Sequence, residues 1–330
     1  ASNQLGFNVS NLLSGRTYQF RVAAVTSVGL GAYSNVITFT TLGGVTPNAP
    51  ASFTVGTVKT TAASVSWSSV VATSKVSNYL VDVSTDGSTW VPVSKRVSTS
   101  TSLALSGLKL GTTYQIRVAA VNANGTGDYV YGSFTTLATV STAPVSLSTT
   151  GVSNSGFILN WNAPSSNGGA AISDYVVEIN GGGYTWSPIV HDPSSNTSIT
   201  ITGLNPGVRY SVRVKAVNSV GVSKASSTLN VVTLAVAPSA PVISLKSVSA
   251  TGAVITWTAP NNGGAKISDY LAEVSTNNGQ TWTTVVKTVS SSTTLTLKGL
   301  KTKTSYLVRI SAKNSVGYSV AGNSLSITTP

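Results

Sequence analysis

The sequence predicts an all-β fold, a tandem array of seven-stranded antiparallel β-sandwiches, and three observations lead to it. One stretch occurs four times, and its tyrosines, Tyr18, Tyr114, Tyr210 and Tyr306, lie 96 residues apart. That spacing is the size of a small domain with its own core. Apolar and polar residues alternate within each copy, which is typical of strands with one buried face. Turn-forming residues separate these runs.

The elements of each complete unit follow in order. The first strand comes after an Ala-Pro pair, because proline lacks the N–H that a central strand needs. The second strand carries a tryptophan, and the third begins at a tyrosine such as Tyr79. A hairpin turn such as 86–87 comes next, since Asp-Gly tolerates positive φ. A strand with Leu103 and Leu105 then precedes the recurring tyrosine strand.

The composition provides enough hydrophobic residues for several buried cores, and it contains few charged residues. Of 330 residues, 41% are hydrophobic and only 8% are charged, well below the usual quarter. The net charge of +12 comes from 20 basic residues against 8 acidic ones. Because the basic residues are dispersed along the chain, we expect no nucleic-acid partner. No apolar run approaches the roughly 18 residues of a membrane helix, so no membrane insertion is expected.

Cysteine and methionine are both absent. Without cysteine the chain has no disulfide framework and no thiolate metal site. Because methionine is missing even at position 1, we expect the chain to be a piece of a longer protein.

Together these motifs resemble the fibronectin type III family. Leu-x-x-Gly-x-x-Tyr leads into the recurring strand at 12–18, 108–114 and 204–210, and an Asn-x-x-Gly loop follows that strand. In the fourth copy Lys303 replaces the glycine of the first motif, and we expect a slightly altered turn there. The resemblance implies immunoglobulin-like sandwiches, whose strands are named A, B, C, C′, E, F and G, and in which the recurring tyrosine precedes strand F.

The predicted units are residues 48–137, 142–234 and 239–330, each a complete fibronectin type III module. Residues 1–42 would form only the C-terminal half of a fourth module, strands E, F and G. Half a sandwich leaves one wall of a core uncovered, so we expect this segment to be mobile or to pair with another molecule. Its apolar face comprises Phe7, Val9, Tyr18, Phe20, Val22 and Ala24. Short linkers predict an elongated row in which each module contacts only its sequence neighbours.

Two series of aromatic residues are expected to have different surroundings. The tryptophans of strand B share a face with apolar residues and should lie in the core, as should the recurring tyrosines. This structural set is Trp67, Trp161, Trp257, Tyr114, Tyr210 and Tyr306. The other tryptophans follow hairpin turns on edge strands, so we expect half-exposed rings that cover the sandwich edge. They are Trp90, Trp186 and Trp282.

An arginine three residues after each tyrosine is the one polar feature that every copy keeps on the outer face of strand F. Strand C should lie beside strand F and carries acids on its own outer, solvent-facing side. The predicted pairs are Arg117–Asp82, Arg213–Glu178 and Arg309–Glu273. Arg21 should lack a partner, because its strand C is missing.

The inventory of reactive residues argues against catalysis. His191 is the one histidine, so neither a repeated histidine triad nor a two-histidine metal site can be built, and it is expected to be a loop residue. No phosphate-binding glycine loop and no calcium loop is present. We therefore expect no catalytic, cofactor-binding or metal-binding residues, no cofactor, and no enzymatic activity.

Three functions remain open. The first is a structural spacer or stalk, with an adhesive role as a variant, in an extracellular or cell-surface bacterial protein. The second is a subunit of an extracellular polymer completed by strand addition. The third is recognition of a carbohydrate or a protein by exposed loops on a rigid sandwich, in an array attached to a secreted enzyme. Its candidate residues are Tyr129, Tyr131, Tyr318 and Trp186. The expected partners are neighbouring modules of the parent chain and, depending on the function, cell-wall polymer, glycan or identical subunits.

Overall fold

The computed structural model describes residues 5–13, 15–183 and 185–330, and all of their regular structure is β. Residues 1–4 and Ser14 of the predicted N-terminal segment lie outside the described residues. None of the described residues forms a helix with the length and hydrophobicity that a membrane crossing needs. The chain divides into two compact units, residues 1–139 and 140–330, and the second unit contains the second and third sandwiches.

The N-terminal segment forms a ribbon of four short strands. β1 (Thr17–Phe20) pairs with β4 (Ile37–Thr40), and β2 (Ala23–Thr26) pairs with β3 (Gly29–Tyr33). The predicted strand E is wrong, because residues 6–10 have no regular structure. The ladders of strands F and G are local, whereas strand E would pair with a strand B that the segment lacks.

The apolar face of this ribbon stays exposed. Phe7 is 82% exposed and Val22 57%, while Tyr18 and Phe20 are half-buried. The expectation that the segment is mobile or pairs with another molecule stays a prediction. The ribbon forms within the single chain because its backbone hydrogen bonds need no second sheet.

The first sandwich has seven strands in two antiparallel sheets. They are β5 (Phe53–Val58), β6 (Ala62–Trp67), β7 (Asn78–Ser84), β8 (Val91–Pro92), β9 (Ser102–Ser106), β10 (Thr113–Asn122) and β11 (Gly125–Thr135). The sheet orders are β5-β6-β9 and β11-β10-β7-β8. In chain order these strands are A, B, C, C′, E, F and G, so the predicted fold class is confirmed.

The second and third sandwiches repeat this topology. The second contains β12 (Val145–Thr150), β13 (Phe157–Asn162), β14 (Ile172–Asn180), β15 (Ser187–Pro188), β16 (Ser198–Ile201), β17 (Arg209–Asn218), β18 (Gly221–Val222) and β19 (Leu229–Val232). The third contains β20 (Ile243–Ser249), β21 (Gly252–Trp257), β22 (Asp269–Ser275), β23 (Thr283–Thr284), β24 (Thr294–Lys298), β25 (Ser305–Lys313) and β26 (Leu325–Thr328).

Each sandwich has its own core around the tryptophan of strand B. Trp67 and Trp161 are 5% exposed and Trp257 is 6% exposed, so their predicted burial is confirmed. Each indole meets the tyrosine of strand C edge-on, with ring centroids 5.5, 5.1 and 4.9 Å apart. Edge-to-face aromatic pairs add roughly 0.5–1.5 kcal/mol to the burial of their area.

The recurring tyrosine closes the loop that precedes strand F. The Lys109 N–H donates to the Tyr114 hydroxyl at 2.9 Å, and the same bond occurs in the other three copies at the same distance. In the three sandwiches the ring lies in the core while its hydroxyl satisfies a loop N–H, which explains why the tyrosine recurs with the loop that precedes it.

The turn at Lys303 is not altered. Its φ of 50° matches that of Gly111 (52°) and Gly207 (65°). Its N–H donates to Pro330 O at 3.4 Å, as Gly111 N–H donates to Leu137 O at 3.3 Å. The loop bonds on both sides hold the backbone in the left-handed region even though the residue carries a side chain.

Strand G is continuous in the first sandwich and interrupted in the second. From Asn218 to Thr233 the chain has one residue more than from Asn122 to Thr136. Residues 223–228, between β18 and β19, have no regular structure, and serine hydroxyls accept from strand F there. Ser226 Oγ accepts from Val214 N–H at 3.0 Å. Because strand G of the first sandwich is unbroken, its residues stay opposite those of strand F along its length.

The segment that enters a sandwich is fastened to it by asparagine side chains. Asn122, which begins the Asn-x-x-Gly loop, donates to Val45 O at 3.0 Å, and Asn314 donates to Val236 O at 2.7 Å. In the third sandwich Asn323 also accepts from Ile243 N–H at 2.9 Å and donates to its carbonyl at 3.2 Å. The first strand and the segment before strand G are thus held together.

Candidate binding site on the sandwich faces

The predicted ion pairs lie on the outer face of the sheet that contains strands C and F. In the first sandwich Arg117 stands opposite Asp82, with 2.8 Å between Nε and Oδ2. The other pairs are Arg213–Glu178 at 2.5 Å and Arg309–Glu273 at 2.8 Å. The prediction is confirmed in all three sandwiches, because the register places the two side chains directly opposite each other.

The carboxylates are more covered than the sequence predicts. Exposed acids were expected on strand C, but Asp82 is 7% exposed, and the side chains of Glu178 and Glu273 are 14% and 17% exposed. The guanidinium groups and the neighbouring rings lie over them. In the second sandwich Lys215 also reaches Glu178, at 2.9 Å.

A tryptophan from the C′ hairpin stacks on each arginine. The guanidinium carbons of Arg117, Arg213 and Arg309 lie 4.5, 4.2 and 4.1 Å from the ring centres of Trp90, Trp186 and Trp282. Each tryptophan is half-buried, as its edge position predicts. A cation over an indole face gains about 0.5–2 kcal/mol. Each face therefore holds a layered unit of acid, arginine and tryptophan.

The first sandwich extends this unit with two tyrosines of the continuous strand β11. The Tyr129 ring centre lies 4.3 Å from the Arg117 guanidinium carbon, so the arginine is held between Tyr129 and Trp90. Tyr131 meets Trp90 edge-on at 5.9 Å and is 60% exposed. We call Trp90, Tyr129 and Tyr131 the aromatic patch. Burial and the Asp82 charge raise the pKa of Tyr129, so its hydroxyl stays protonated and able to donate.

The two remaining binding candidates do not join the aromatic patch. Trp186 covers Arg213 in the second sandwich. Tyr318 bridges to Lys313, whose Nζ is 4.9 Å from its ring centre. It directly follows the loop glycine Gly317, whereas Tyr129 stands four residues after Gly125, so Tyr318 does not occupy the position of a patch tyrosine.

The N-terminal ribbon keeps part of the same arrangement. The Arg21 guanidinium carbon lies 3.9 Å from the ring centre of Tyr33, as Arg117 lies over Tyr129. Within the described residues no carboxylate pairs with Arg21. The ribbon therefore has the strand F and strand G parts of the unit without the strand C part.

A second recurring contact, which the sequence analysis missed, ties the loop before strand E to the start of strand C. Lys287 Nζ reaches Asp269 at 2.5 Å and Lys95 Nζ reaches Asn78 at 2.9 Å. His191 holds the same position, with Nδ1 4.0 Å from Asp174 Oδ1. The 96-residue spacing of Lys95, His191 and Lys287 was the available signal. In the described ranges no three His, Cys, Asp or Glu side chains are grouped to hold a metal ion.

These faces and cores match a known domain family. The model of the fibronectin type III domain matches residues 48–134, 142–232 and 237–329, which are the three sandwiches. The chain belongs to the fibronectin type III family.

Individual relatives are proteins much longer than this chain. Myomesin-2 of Homo sapiens is 26% identical over 325 residues, which cover 94% of this chain and 22% of the relative. Fast-type myosin-binding protein C of Gallus gallus is 32% identical over 183 residues, 53% of this chain and 16% of the relative. The chain thus spans about a fifth of the length of these relatives. The crystal structure of the chicken CNTN1 FN1–FN3 domains aligns with 86% of this chain and 99% of its own, at 22% identity and a TM-score of 0.43.

Proposed function

We propose that the chain is a non-catalytic structural spacer, or stalk, within a longer extracellular or cell-surface protein of bacterial origin. The observation that carries this proposal is the internal use of polar groups on the sandwich faces. In each sandwich the arginine pairs with the acid and stacks against the tryptophan. Charged groups that are already paired and covered offer few directional contacts to a partner. The extracellular bacterial setting rests on the charge-poor, cysteine-free composition, while the relatives named above are animal proteins.

A replacement experiment tests the spacer. In the full-length parent protein, residues 48–330 are replaced by three unrelated β-sandwich domains. A spacer contributes separation and no contacts, so the affinity of the parent for its cellular target should stay within twofold. A tenfold loss would show that these sandwiches make specific contacts and would overturn the proposal.

The aromatic patch favours a second candidate function, binding of a carbohydrate or a protein surface. Tyr and Trp are enriched where binding energy concentrates, and Tyr131 is 60% exposed. Because Asp82 neutralises Arg117, the patch suits an uncharged ligand that stacks on rings and bonds to hydroxyls. A relative named for binding myosin supports the protein alternative.

A glycan and protein array probed with the purified chain tests this second function. A signal that Tyr131→Ala reduces at least tenfold, with far-ultraviolet circular dichroism unchanged, would support it. Tyr318→Ala is the matched control, because Tyr318 is 45% exposed but lies outside the patch. Equal loss in both variants, or no signal at all, would contradict it.

The exposed N-terminal ribbon favours a third candidate, an extracellular polymer formed by strand addition. An open apolar face with unpaired strand edges is the arrangement that accepts strands from another chain. Sedimentation at increasing concentration should then show association that deletion of residues 1–42 abolishes. A chain that stays monomeric at high concentration would remove this candidate.

A further inference from the structure

Two loops of the second unit approach each other through backbone atoms. One is the turn at Pro206-Gly207, which precedes β17 in the second sandwich. The other is the turn at 262–264, between β21 and β22 of the third sandwich. A Cβ added to Gly207 would overlap the Gly264 carbonyl, and a Cβ added to Gly264 would overlap the Pro206 carbonyl. No side chain fits between the two turns.

The linker between the two sandwiches is bonded to the same turn of the third sandwich. Val236 N–H donates to Gly263 O at 2.8 Å, and Ser239 N–H donates to Asn261 O at 2.9 Å. Asn314 Nδ2 donates both to Val236 O at 2.7 Å and to Asn262 O at 2.9 Å. The linker is therefore a fixed part of the third sandwich and not a free tether.

The glycine at position 207 is needed for this contact and not for its backbone angle alone. Lys303 occupies the corresponding position of the third sandwich with a φ of 50°, so a side chain is compatible with the turn. Gly203, four residues before Gly207, has a φ of 75° but no atom within 4 Å of an added Cβ. A left-handed φ alone therefore does not require glycine at this position of the loop, whereas the close contact between Gly207 and Gly264 does.

We propose that the turns at 206–207 and 262–264 form an intermodule joint, whose partner surface is the backbone of the adjacent module. The joint, together with the bonded linker, makes the second and third sandwiches move as one body. This inference rests on the proposed spacer function and specifies how part of the spacer is stiffened. The joint is compatible with ligand binding by the chain. The joint and the spacer function can therefore be disproved by separate experiments.

Spin labels measure the order of the joint in the full chain. The chain has no cysteine, so Thr200→Cys and Thr296→Cys, both at exposed strand positions, give one labelled pair across the joint. Double electron–electron resonance should show a single narrow distance distribution. Gly207→Ala should at least double its width, because the added methyl meets backbone that cannot move aside.

Gly203→Ala is the matched control. It introduces alanine at a left-handed turn of the same loop, and it should lower the thermal midpoint about as much as Gly207→Ala while leaving the distance distribution unchanged. Equal widths in both variants, or a broad distribution in the parent chain, would overturn the joint. That outcome would leave a spacer with a flexible joint, whereas failure of the replacement experiment would leave the joint intact.

Discussion

At the scale of single residues, replacing a tryptophan should cost more stability in the buried series on strand B than in the half-buried series that covers the arginines. Trp161→Ala removes a buried indole and should destabilise the second sandwich by about 3–5 kcal/mol. Trp186→Ala removes a half-buried ring over Arg213 and should cost only about 0.5–2 kcal/mol. Hydrogen exchange followed by mass spectrometry would locate the loss of protection in residues 142–234. Similar losses from the two variants would show that the core assignment is wrong.

The covered glutamate of the second sandwich predicts a dependence of stability on pH. Burial alone would raise the pKa of Glu178, but hydrogen bonds and charges from Lys215 and Arg213 outweigh it and lower the pKa. A carboxyl whose folded pKa is lowered stabilises the fold above its unfolded pKa, about 4.3 for Glu. That contribution is lost as the pH falls through the lower, folded value.

Glu178→Gln tests this dependence. The thermal midpoint of the second sandwich should fall less steeply below pH 5 in the variant than in the parent chain, since one carboxylate no longer gains a proton on unfolding. Scanning calorimetry from pH 7 to pH 2 gives the two slopes. Parallel slopes would mean that the pKa of Glu178 is not lowered.

Lys303 offers a test of stored backbone strain. Its left-handed φ is unfavourable for a residue with a side chain, so Lys303→Gly should stabilise the third sandwich by about 0.5–1 kcal/mol after the larger unfolded-state entropy of glycine is included. Gly299→Ala, at a φ of 72° with no atom near an added Cβ, should destabilise it by a similar amount. Urea denaturation measures both changes, and a destabilised Lys303→Gly would contradict the prediction.

Much of the site could be predicted from single residues, and the parts that could not be predicted have physical causes. Alternation identified Arg117 and Asp82 as outward residues, and strand order then paired them. The cover over Asp82 could not be predicted, because it depends on how Trp90 folds back from a hairpin. Lys215 was missed although it stands two residues after Arg213 and therefore on the same face.

At the scale of elements, the N-terminal ribbon leaves apolar side chains exposed, with Phe7 at 82% and Val22 at 57%. Such patches bind the dye ANS, which becomes fluorescent in apolar surroundings. The whole chain should increase ANS fluorescence, and deletion of residues 1–42 should remove most of the increase. Phe7→Ser with Val22→Ser should reduce it without changing the length of the chain. Unchanged fluorescence after the deletion would place the dye on a sandwich instead.

The alternation of apolar and polar residues predicted where strands lie, but it did not predict where a strand is interrupted. Strand G of the second sandwich is interrupted where the chain has one extra residue, and there the Ser226 and Ser223 hydroxyls accept from the strand F N–H groups of Val214 and Ala216. Serine is also common in ordinary turns, so neither serine reveals the interruption in the sequence. Similarly, residues 6–10 alternate like a strand, yet no neighbouring strand is present to pair with them.

At the scale of the whole molecule, the 96-residue period predicted the number of complete sandwiches and their common topology. The contact between the turns at 206–207 and 262–264 could not be predicted. Glycine is the ordinary residue for tight turns, so the sequence does not reveal that these glycines also meet another module. Close approach of two backbones becomes visible only when both turns are placed in space.

The asparagine fastenings also determine how a sandwich would respond to tension. The chain enters the third sandwich at β20 and leaves it after β26, and Asn314 and Asn323 tie the entering segment to the sheet that holds strands F and G. A force applied at both ends would pull the first strand by its beginning and the last strand by its end. The fastenings would then be loaded in shear, so several bonds would have to break together and no strand could peel away one bond at a time.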